Sequence, residues 1–321
     1  MLIAEFCQNH NGSFAVLREM IAAAADSGAT HAKIQTIFAD DLSYRLEFEG
    51  LSKTPANQSF LVRPWAAEYR RLYSLELSVA EQAQFVVECE KRGLTPMTTA
   101  FNLTTIPMIR EIGIQTIKIA SYDCASLPLV EAAAECFNHV VLSTGASYNH
   151  EIEAAASLLA AMEREFTLLH CVTIYPTPLS QMHLSRMSYL KQFTSNVGLS
   201  SHPGAAELGI SADLIALSAG AAAIERHFTV LPREETRDGK VSTTPGELRK
   251  IREFMDLGVQ QKSDSLGFTA EEVTIAMGDE HRQLSEIELQ NRHYYRGRFI
   301  NRTTAGPIVN WDSSVRELTG I

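Results

Sequence analysis

The sequence lacks the marks of a membrane-bound or secreted protein. No apolar run approaches the roughly 20 residues of a membrane-spanning helix. The first predicted strand begins at Leu2, which leaves no room for a signal peptide. The five cysteines are odd in number and show no Cys-x-x-Cys spacing, a pattern typical of a reducing compartment. We therefore expect a cytoplasmic protein with no membrane partner.

Motifs of several common enzyme classes are also missing. The sequence contains no Gly-x-Gly-x-x-Gly after a strand, no Walker A run and no Gly-x-Ser-x-Gly elbow. The net charge of −10 argues against nucleic acid as a partner, because a nucleic acid would be repelled. An acidic protein that binds phosphate must place its cations locally, so individual lysines become informative.

What the sequence does contain is a regular alternation of short apolar runs and segments with helical periodicity. The runs predicted as strands are residues 2–6, 31–36, 94–99, 115–120, 139–143, 166–171, 195–200 and 223–228. The segments predicted as helices are residues 14–27, 79–92, 103–112, 127–136, 150–163, 185–192, 206–219 and 246–257. Eight such units predict an α/β fold, a (β/α)8 TIM barrel, because a doubly wound sheet would need a change of strand order that the sequence does not require.

Two segments depart from this alternation. Residues 38–78 form a long second loop, rich in aromatic and charged residues, with a predicted short helix around 65–73. After Gly258 the chain becomes polar, with a predicted helix at 270–277. We predict a catalytic barrel domain at 1–260 and a short irregular C-terminal extension at 261–321.

Polar side chains lie at the C-terminal end of nearly every predicted strand, which is where a barrel carries its active site. In chain order they are Glu5, Lys33, Gln35, Thr98, Thr99, Lys118, Ser121, Ser143, Thr144, His170, Thr173, Tyr175, Ser200, His202, Glu225 and His227. Two lysines with several hydroxyls suit a small, multiply charged anion such as a phosphorylated carboxylate. Adjacent parallel strands lie ~4.8 Å apart, so His202 and His227 can reach one metal ion, with imidazole favouring Zn, Mn, Fe or Co over Mg.

Each of these residues, taken alone, has a plainer interpretation. A single lysine at a strand end is commonly a surface residue, and a single serine is commonly a helix cap. His170 is more typical of a hydrogen-bonded core histidine than of a ligand, and Cys7 and Cys171 are more typical of small buried apolar groups. The coincidence of polar residues at nearly all strand ends favours an enzyme.

These strand ends closely resemble the sialic acid synthase family, the N-acetylneuraminate synthases and their bacterial relatives for legionaminic and pseudaminic acids. The matching motifs are Ala4-Glu5, Asn9-His-x-Gly12, Lys33-x-Gln-Thr36, Lys118-Ile-x-Ser121, Leu142-Ser-Thr-Gly145, Leu169-His-Cys-x-x-x-Tyr-Pro-Thr-Pro178, Gly198-Leu-Ser-x-His202 and Glu225-Arg-His-Phe-Thr229. They occur in family order and span residues 2–246, about three quarters of the chain.

The resemblance implies condensation of phosphoenolpyruvate with the open-chain aldehyde of an amino sugar, giving a nine-carbon 2-keto-3-deoxy acid and phosphate. Phosphoenolpyruvate would be held by Lys33, Thr99, Lys118, Ser121, Ser143 and Ser200, and Mn²⁺ or Mg²⁺ by His202 and His227. Glu5 would be the acid/base, with Glu225 and Asp238 as further catalytic candidates. The sugar would face Gln35, Asn57, Asp123, Tyr175 and Asp238, and Thr173 stands where an asparagine often helps to hold the phosphate group.

The resemblance also has departures. Glu234-Glu-Thr-Arg-Asp238 replaces the family's usual Pro-Gly-Pro-Asp, and the extension is truncated relative to the family's antifreeze-like domain. We expect a homodimer in which the basic-aromatic segment Arg292–Arg298 lies at the active-site rim of a partner subunit, or else packs on its own barrel.

Two other functions remain open. One is a synthase of the octulosonate-phosphate or heptulosonate-phosphate type, which would need basic residues for a second phosphate. Arg45, Arg63, Arg70 and Arg71 in the long loop are the candidates. The other is a catalytically silent barrel that acts as a binding protein.

Overall fold

The computed structural model describes residues 1–50, 61–204, 209–265, 267–303 and 306–309. Its centre is a closed barrel of eight parallel strands in sequence order. They are β1 (Leu2–Cys7), β2 (His31–Gln35), β3 (Thr95–Ala100), β4 (Thr116–Ile119), β5 (His139–Ser143), β6 (Glu165–Cys171), β7 (Val197–Ser201) and β8 (Ala223–His227). Pairing of Leu2 with Ile224 closes β1 onto β8. The predicted barrel is confirmed.

Helices cover the outside of the barrel, in the order that the periodicity predicted. They are α1 (Phe14–Asp26), α2 (Trp65–Tyr73), α3 (Val79–Lys91), α4 (Ile106–Glu111), α5 (Leu127–Cys136), α6 (Asn149–Ala161), α7 (Arg186–Leu190), α8 (Ser211–Ser218) and α9 (Pro245–Met255). Three more follow: α10 (Val259–Ser265), α11 (Ala270–Met277) and α12 (Glu286–Tyr295). Among the described residues, no helix has the length and apolar character needed to cross a membrane.

Local sequence signals account for these elements. In α3, the Ser78 side chain accepts from the backbone of Glu81, whose carboxylate accepts from Ser78 in return, so both ends of this capping box are satisfied. Helix α1 buries Leu17, Met20, Ile21 and Ala24, at the three- and four-residue spacing of one helix face.

The lower part of the barrel interior is a small apolar cluster. It consists of Ile3, Met97, Val141, Leu169 and Ala223. Gly198 completes this layer by having no side chain, because a Cβ there would lie 2.2 Å from the carbonyl oxygen of Ala223. The interior is therefore closed below, and the polar residues of the same strands lie above it, toward the carboxyl ends.

The C-terminal extension has more regular structure than the sequence analysis expected. Beyond α11, whose predicted bounds are confirmed, α12 is followed by a hairpin of β9 (Ile300–Thr303) and β10 (Gly306–Val309). Arg292 of α12 donates to the Glu151 carboxylate at 2.8 Å, and Asn291 donates to the Thr173 carbonyl at 2.8 Å. These long-range hydrogen bonds hold α12 against its own barrel. The hydrophobic periodicity of this segment is too weak to predict the helix from the sequence. The division at residue 260 stays a prediction.

Candidate active site

A cavity of about 390 Å³ opens at the carboxyl ends of the barrel strands. Most of the residues chosen from the sequence line it: Glu5, Lys33, Gln35, Thr99, Lys118, Ser121, Ser143, Tyr175, Ser200, His202, Glu225, His227 and Asp238. They come from separate strands and meet because parallel strands in a barrel end on the same side. The structure therefore brings one continuous polar site together from the predicted positions.

Four charged side chains form a buried network at the floor of this cavity. Lys33 pairs with Glu5, and its Nζ atom lies 3.6 Å from Oε2 of Glu225. The Nζ atom of Lys118 lies 3.2 Å from Oε1 of Glu225, and the Ser200 hydroxyl donates to that oxygen at 2.9 Å. Buried charges are tolerated when they are paired. The network therefore holds two cations where an anionic ligand can reach them.

Burial and pairing set the protonation of this network. Burial, together with the charge of Lys118, lowers the pKa of Lys33 to about 7, although Glu225 opposes the shift. Burial alone would raise the pKa of Glu225, but Lys118, Lys33 and the Ser200 hydroxyl outweigh it and lower the pKa to about 2. Glu225 is therefore an anion at neutral pH, while Lys33 is close to its titration point.

Hydroxyl groups beside the lysines are available to a ligand. The Ser143 hydroxyl is buried and has no hydrogen-bond partner among the described residues. The Ser121 hydroxyl accepts from the Gly145 amide at 3.2 Å, and its proton can be donated either to the Cys171 sulfur, a weak acceptor, or to a ligand. A Cβ at Gly145 would lie 2.9 Å from that hydroxyl, so glycine keeps the space beside it open.

The two predicted metal ligands lie together on the other side of the cavity. The ring centres of His202 and His227 are 5.1 Å apart. Nδ1 of His227 lies 3.6 Å from Oδ2 of Asp238 and is buried without a hydrogen-bond partner among the described residues. Ligand atoms of Cys7, His227 and Asp238 all lie within 4.8 Å of one another. This donor set fits a divalent transition metal.

The protonation states around the two histidines also fit a metal. Burial and the neighbouring His227 lower the pKa of His202 well below its ordinary value, so its imidazole is neutral. Burial would raise the pKa of Asp238, but contact with His227 outweighs it and lowers the pKa well below its ordinary value. A neutral imidazole and a carboxylate anion are the forms that bind metals.

Cys7 was missed as a candidate ligand because the sequence analysis treated it as a small buried apolar residue. Its φ of 46° is rarely adopted by residues other than glycine, and the pairing of β1 with β2 shifts register between Glu5 and Cys7. Nothing in the sequence indicates this break. It brings the Cys7 thiol to His227 and Asp238 at the cavity wall.

Two residues that the sequence placed at the substrate do not line the cavity. Asp123 ends a short 3-10 turn after β4, and successive residues of such a turn point in different directions. Ser121 therefore faces the cavity while Asp123 is buried beside Arg296, and burial raises the pKa of Asp123 to about 7. Thr173 is fully buried, and its carbonyl accepts from Asn291 of α12. The extension covers both positions.

Two further predictions have plain outcomes. His170 is buried, and its Nε2 atom lies 2.7 Å from the Met182 carbonyl oxygen, as expected for a core histidine. Asn57 lies outside the described residues.

The rim of the cavity is formed by residues from the long loop and the extension. Arg63 and Arg71 of the long loop and Tyr295 and Arg298 of the extension line it, and Arg237 from the segment after β8 adds to them. The aromatic and basic composition of the long loop and the extension indicated that these segments lie at the active site. It did not indicate which of their residues line the cavity. The sequence analysis considered two positions for the segment Arg292–Arg298, and the structure shows this segment packed on its own barrel. Packing against a partner subunit stays a prediction.

The closed barrel and the polar cavity at its strand ends define a (β/α)8-barrel enzyme. The profile of the NeuB family matches residues 20–265, well over half of the sequence. The chain belongs to the NeuB family.

Individual relatives agree with this assignment. The chain is 32% identical over 278 residues to N,N'-diacetyllegionaminic acid synthase of Campylobacter jejuni, covering 83% of this chain and 80% of the relative. It is 26% identical over 307 residues to a pseudaminic acid synthase of Campylobacter jejuni, covering 94% and 81%. A crystal structure of N-acetylneuraminic acid synthetase from Leptospira borgpetersenii, in complex with citrate, superposes with a TM-score of 0.68 at 27% identity, covering 91% and 90%.

Proposed function

We propose that this protein condenses phosphoenolpyruvate with the aldehyde of an open-chain sugar, releasing phosphate and forming a 2-keto-3-deoxy nonulosonic acid. The observation that carries the proposal is the meeting of two buried lysines and two histidines in one cavity at the strand ends. The lysines suit a donor substrate that carries both a phosphate and a carboxylate, and the histidines suit a metal beside the acceptor. The family membership supports the same reaction.

Phosphoenolpyruvate would lie at the cavity floor. Lys33 and Lys118 supply positive charge to its phosphate and carboxylate, and the Ser121 and Ser143 hydroxyls supply directed donors. The same lysines stabilise the charge that develops on phosphate as it leaves. Glu225 keeps both ammonium groups at the floor when the substrate is absent.

The residues that would hold a divalent metal are His202 and His227, with Cys7 and Asp238 as further donors. We propose Mn²⁺ ahead of Mg²⁺, because imidazole and thiol donors suit the softer ion. When bound, such an ion supplies Lewis-acid polarisation of the acceptor aldehyde.

The chain's own residues then complete the reaction. As C3 of phosphoenolpyruvate bonds to the aldehyde carbon, the C=O π electrons pass to the aldehyde oxygen, which takes up a proton and becomes a hydroxyl. C2 is left electron-poor and adds water. We assign the proton of that water to Glu5, a carboxylate on β1 at the cavity floor. Breaking the C2–O bond of the resulting hemiketal phosphate releases phosphate and leaves the keto group. Gln35, Tyr175 and Asp238 line the side where the sugar would lie.

Phosphate release from phosphoenolpyruvate, measured with a panel of N-acyl hexosamines and other aldoses, tests the proposal. We expect release only with an aldehyde acceptor and a divalent metal, with a product whose mass equals that of the acceptor plus pyruvate. In Glu5→Gln, turnover should fall about 10²-fold while substrates still bind, because proton transfer is lost and shape is kept. The matched control is Glu19→Gln on the exposed face of α1. A catalytically silent barrel would release no phosphate with any acceptor.

A further inference from the structure

Three arginines share a single carboxylate at the rim of the active-site cavity. Nη2 of Arg71 lies 2.7 Å from Oε2 of Glu68, and Nη2 of Arg298 lies 3.4 Å from the same oxygen. Nη1 of Arg63 lies 3.6 Å from Oε1 of Glu68. One carboxylate cannot neutralise three guanidinium groups, so this Glu68 cluster carries a net positive charge.

The arginines of the Glu68 cluster are partly or fully withdrawn from water. The Arg298 side chain is 8% exposed, and those of Arg63 and Arg71 are 23% and 24% exposed. Excess charge is costly in such a place unless a counter-ion binds there. Among the described residues, the nearby Glu49 forms no ion pair with these arginines, whose ion pairs are all with Glu68. Its Oε1 atom instead accepts from the Trp65 backbone at 2.6 Å.

The contacts of the cluster leave donors available. Nε of Arg298 is buried and has no hydrogen-bond partner among the described residues. The Cζ atoms of Arg63 and Arg298 lie over the Tyr295 ring, 5.6 and 5.3 Å from its centre. Each guanidinium carries five N–H donors, so its contacts with Glu68 and Tyr295 leave further N–H groups that can bind an anion.

The Glu68 cluster belongs to the same cavity as the catalytic residues. Arg63, Arg71 and Arg298 line that cavity together with Lys33 and Lys118. The lysines lie on strands β2 and β4 at the floor, whereas the arginines come from α2 and from the segments before α2 and after α12. The arginines therefore form a cationic region separate from the two lysines, and phosphoenolpyruvate at the floor accounts only for the lysines.

We propose that the Glu68 cluster binds an anionic group of the acceptor sugar, at the end remote from its aldehyde. This inference rests on the proposed condensation and adds the acceptor's class: an aldose that carries a phosphate or a carboxylate. Arginine suits both groups, because its planar N–H fork matches their paired oxygens.

Binding is tested first without catalysis. Calorimetry would compare a hexitol 6-phosphate, the acid formed by reducing the aldehyde of the matching uronic acid, and the neutral hexitol. Each is measured at saturating phosphoenolpyruvate, so that the floor site is filled. None of these has an aldehyde to react. We expect an anionic compound to bind at least about tenfold more tightly than the neutral hexitol, consistent with charge-assisted hydrogen bonds. The preferred anion identifies the group. Equal binding of all three would overturn the proposal.

Variants then locate the binding site. Arg71→Ala and Arg63→Ala should each weaken binding of the anionic hexitol about ten- to a hundredfold and leave the neutral compound unchanged. Arg70→Ala is the matched control, because Arg70, although a candidate from the sequence, is exposed in the same helix and is not among the described residues that line the cavity. Arg298→Lys keeps the charge but loses the planar fork, and we expect an intermediate loss. If the cluster only ties the extension to α2, the cluster variants will lower the melting temperature without changing the selectivity for anions.

Acceptor kinetics separate this proposal from the proposed function. An N-acyl hexosamine, its 6-phosphate and the corresponding uronic acid would be compared as acceptors. A lower KM for an anionic acceptor, lost in Arg71→Ala with the KM for phosphoenolpyruvate unchanged, supports the inference. Equal or better turnover of the neutral sugar overturns it while leaving the condensation intact. Absence of any condensation, with anionic hexitols still bound, would instead reject the proposed function.

Discussion

The Nζ atom of Lys118 lies 3.2 Å from Oε1 of Glu225, with both side chains buried. The two residues belong to β4 and β8, on opposite sides of the closed barrel, so the pair bridges its interior. The Ser200 hydroxyl donates to the same oxygen and fixes the carboxylate. This arrangement holds a lysine at the cavity floor, ready to exchange a carboxylate for a substrate anion.

Replacing Lys118 with alanine should raise the KM for phosphoenolpyruvate about ten- to a hundredfold. The reason is the loss of one charge-assisted contact to a desolvated anion, which costs ~1.5–3 kcal/mol. Steady-state kinetics at saturating acceptor measure the change. Lys91→Ala, at an exposed end of α3, is the control. An unchanged KM would show that Lys118 does not contact the substrate.

The pKa of about 7 for Lys33 predicts a pH dependence of substrate binding. Phosphoenolpyruvate needs the protonated lysine, so its KM should rise as the pH increases above about 7. Lys33→Arg should show a weaker dependence, because guanidinium stays protonated. The pH range from about 6 to about 9 covers the titration of Lys33. A KM for phosphoenolpyruvate that stays constant over this range would contradict the prediction.

The same shift predicts an effect on stability. Between pH 7 and the ordinary lysine pKa of 10.5, the unfolded chain binds a proton that the folded chain has lost. The contribution of Lys33 to the free energy of unfolding should therefore rise with pH across this window. Chemical denaturation at several pH values would measure it, and Lys33→Met should remove this contribution. An identical pH slope in the two proteins would argue against the shift.

Metal binding should depend on His227 and, more weakly, on Cys7. We expect His227→Ala to abolish measurable Mn²⁺ binding in calorimetry. The His227 imidazole lies beside His202 and also belongs to the group of Cys7, His227 and Asp238, so its loss affects every candidate ligand set. Cys7→Ala should weaken binding about tenfold or more if the thiol is a ligand, the scale seen when metal-site partners are lost. His150→Ala, an exposed histidine, serves as control. Normal Mn²⁺ affinity in Cys7→Ala would restrict the site to the histidines and Asp238.

Asn9 positions the loop that carries Asp238. Its amide donates to the Phe228 carbonyl and the Ser242 hydroxyl, both at 2.9 Å, and its Oδ1 atom accepts from the Asp238 backbone at 3.2 Å. Asn9→Ala leaves buried partners unsatisfied, so we expect a stability loss of ~1–3 kcal/mol.

The same variant should also weaken Mn²⁺ affinity and lower kcat, because Asp238 is no longer held beside His227. Asn11→Gly is the control, since Asn11 bonds the neighbouring Glu235 carbonyl in a more exposed place and its φ of 51° suits glycine. A loss of stability with unchanged Mn²⁺ affinity would limit Asn9 to a structural role.

The sequence by itself determined the barrel and the positions at which its chemistry would lie. Strand β5 (139–143), helix α2 (65–73) and helix α11 (270–277) have their predicted bounds. Periodicity is a local property, and parallel strands of a barrel must end on one side, so a residue at a strand end can be assigned to the site without coordinates.

Only the tertiary structure decided how the site is completed. The register break that brings Cys7 to Asp238, and the turn that buries Asp123, depend on backbone angles that no local pattern specifies. Glu68 and Arg298 meet although 230 positions separate them. Such contacts depend on how loops and the extension pack together over long distances. The spacing of residues along the chain does not encode that packing.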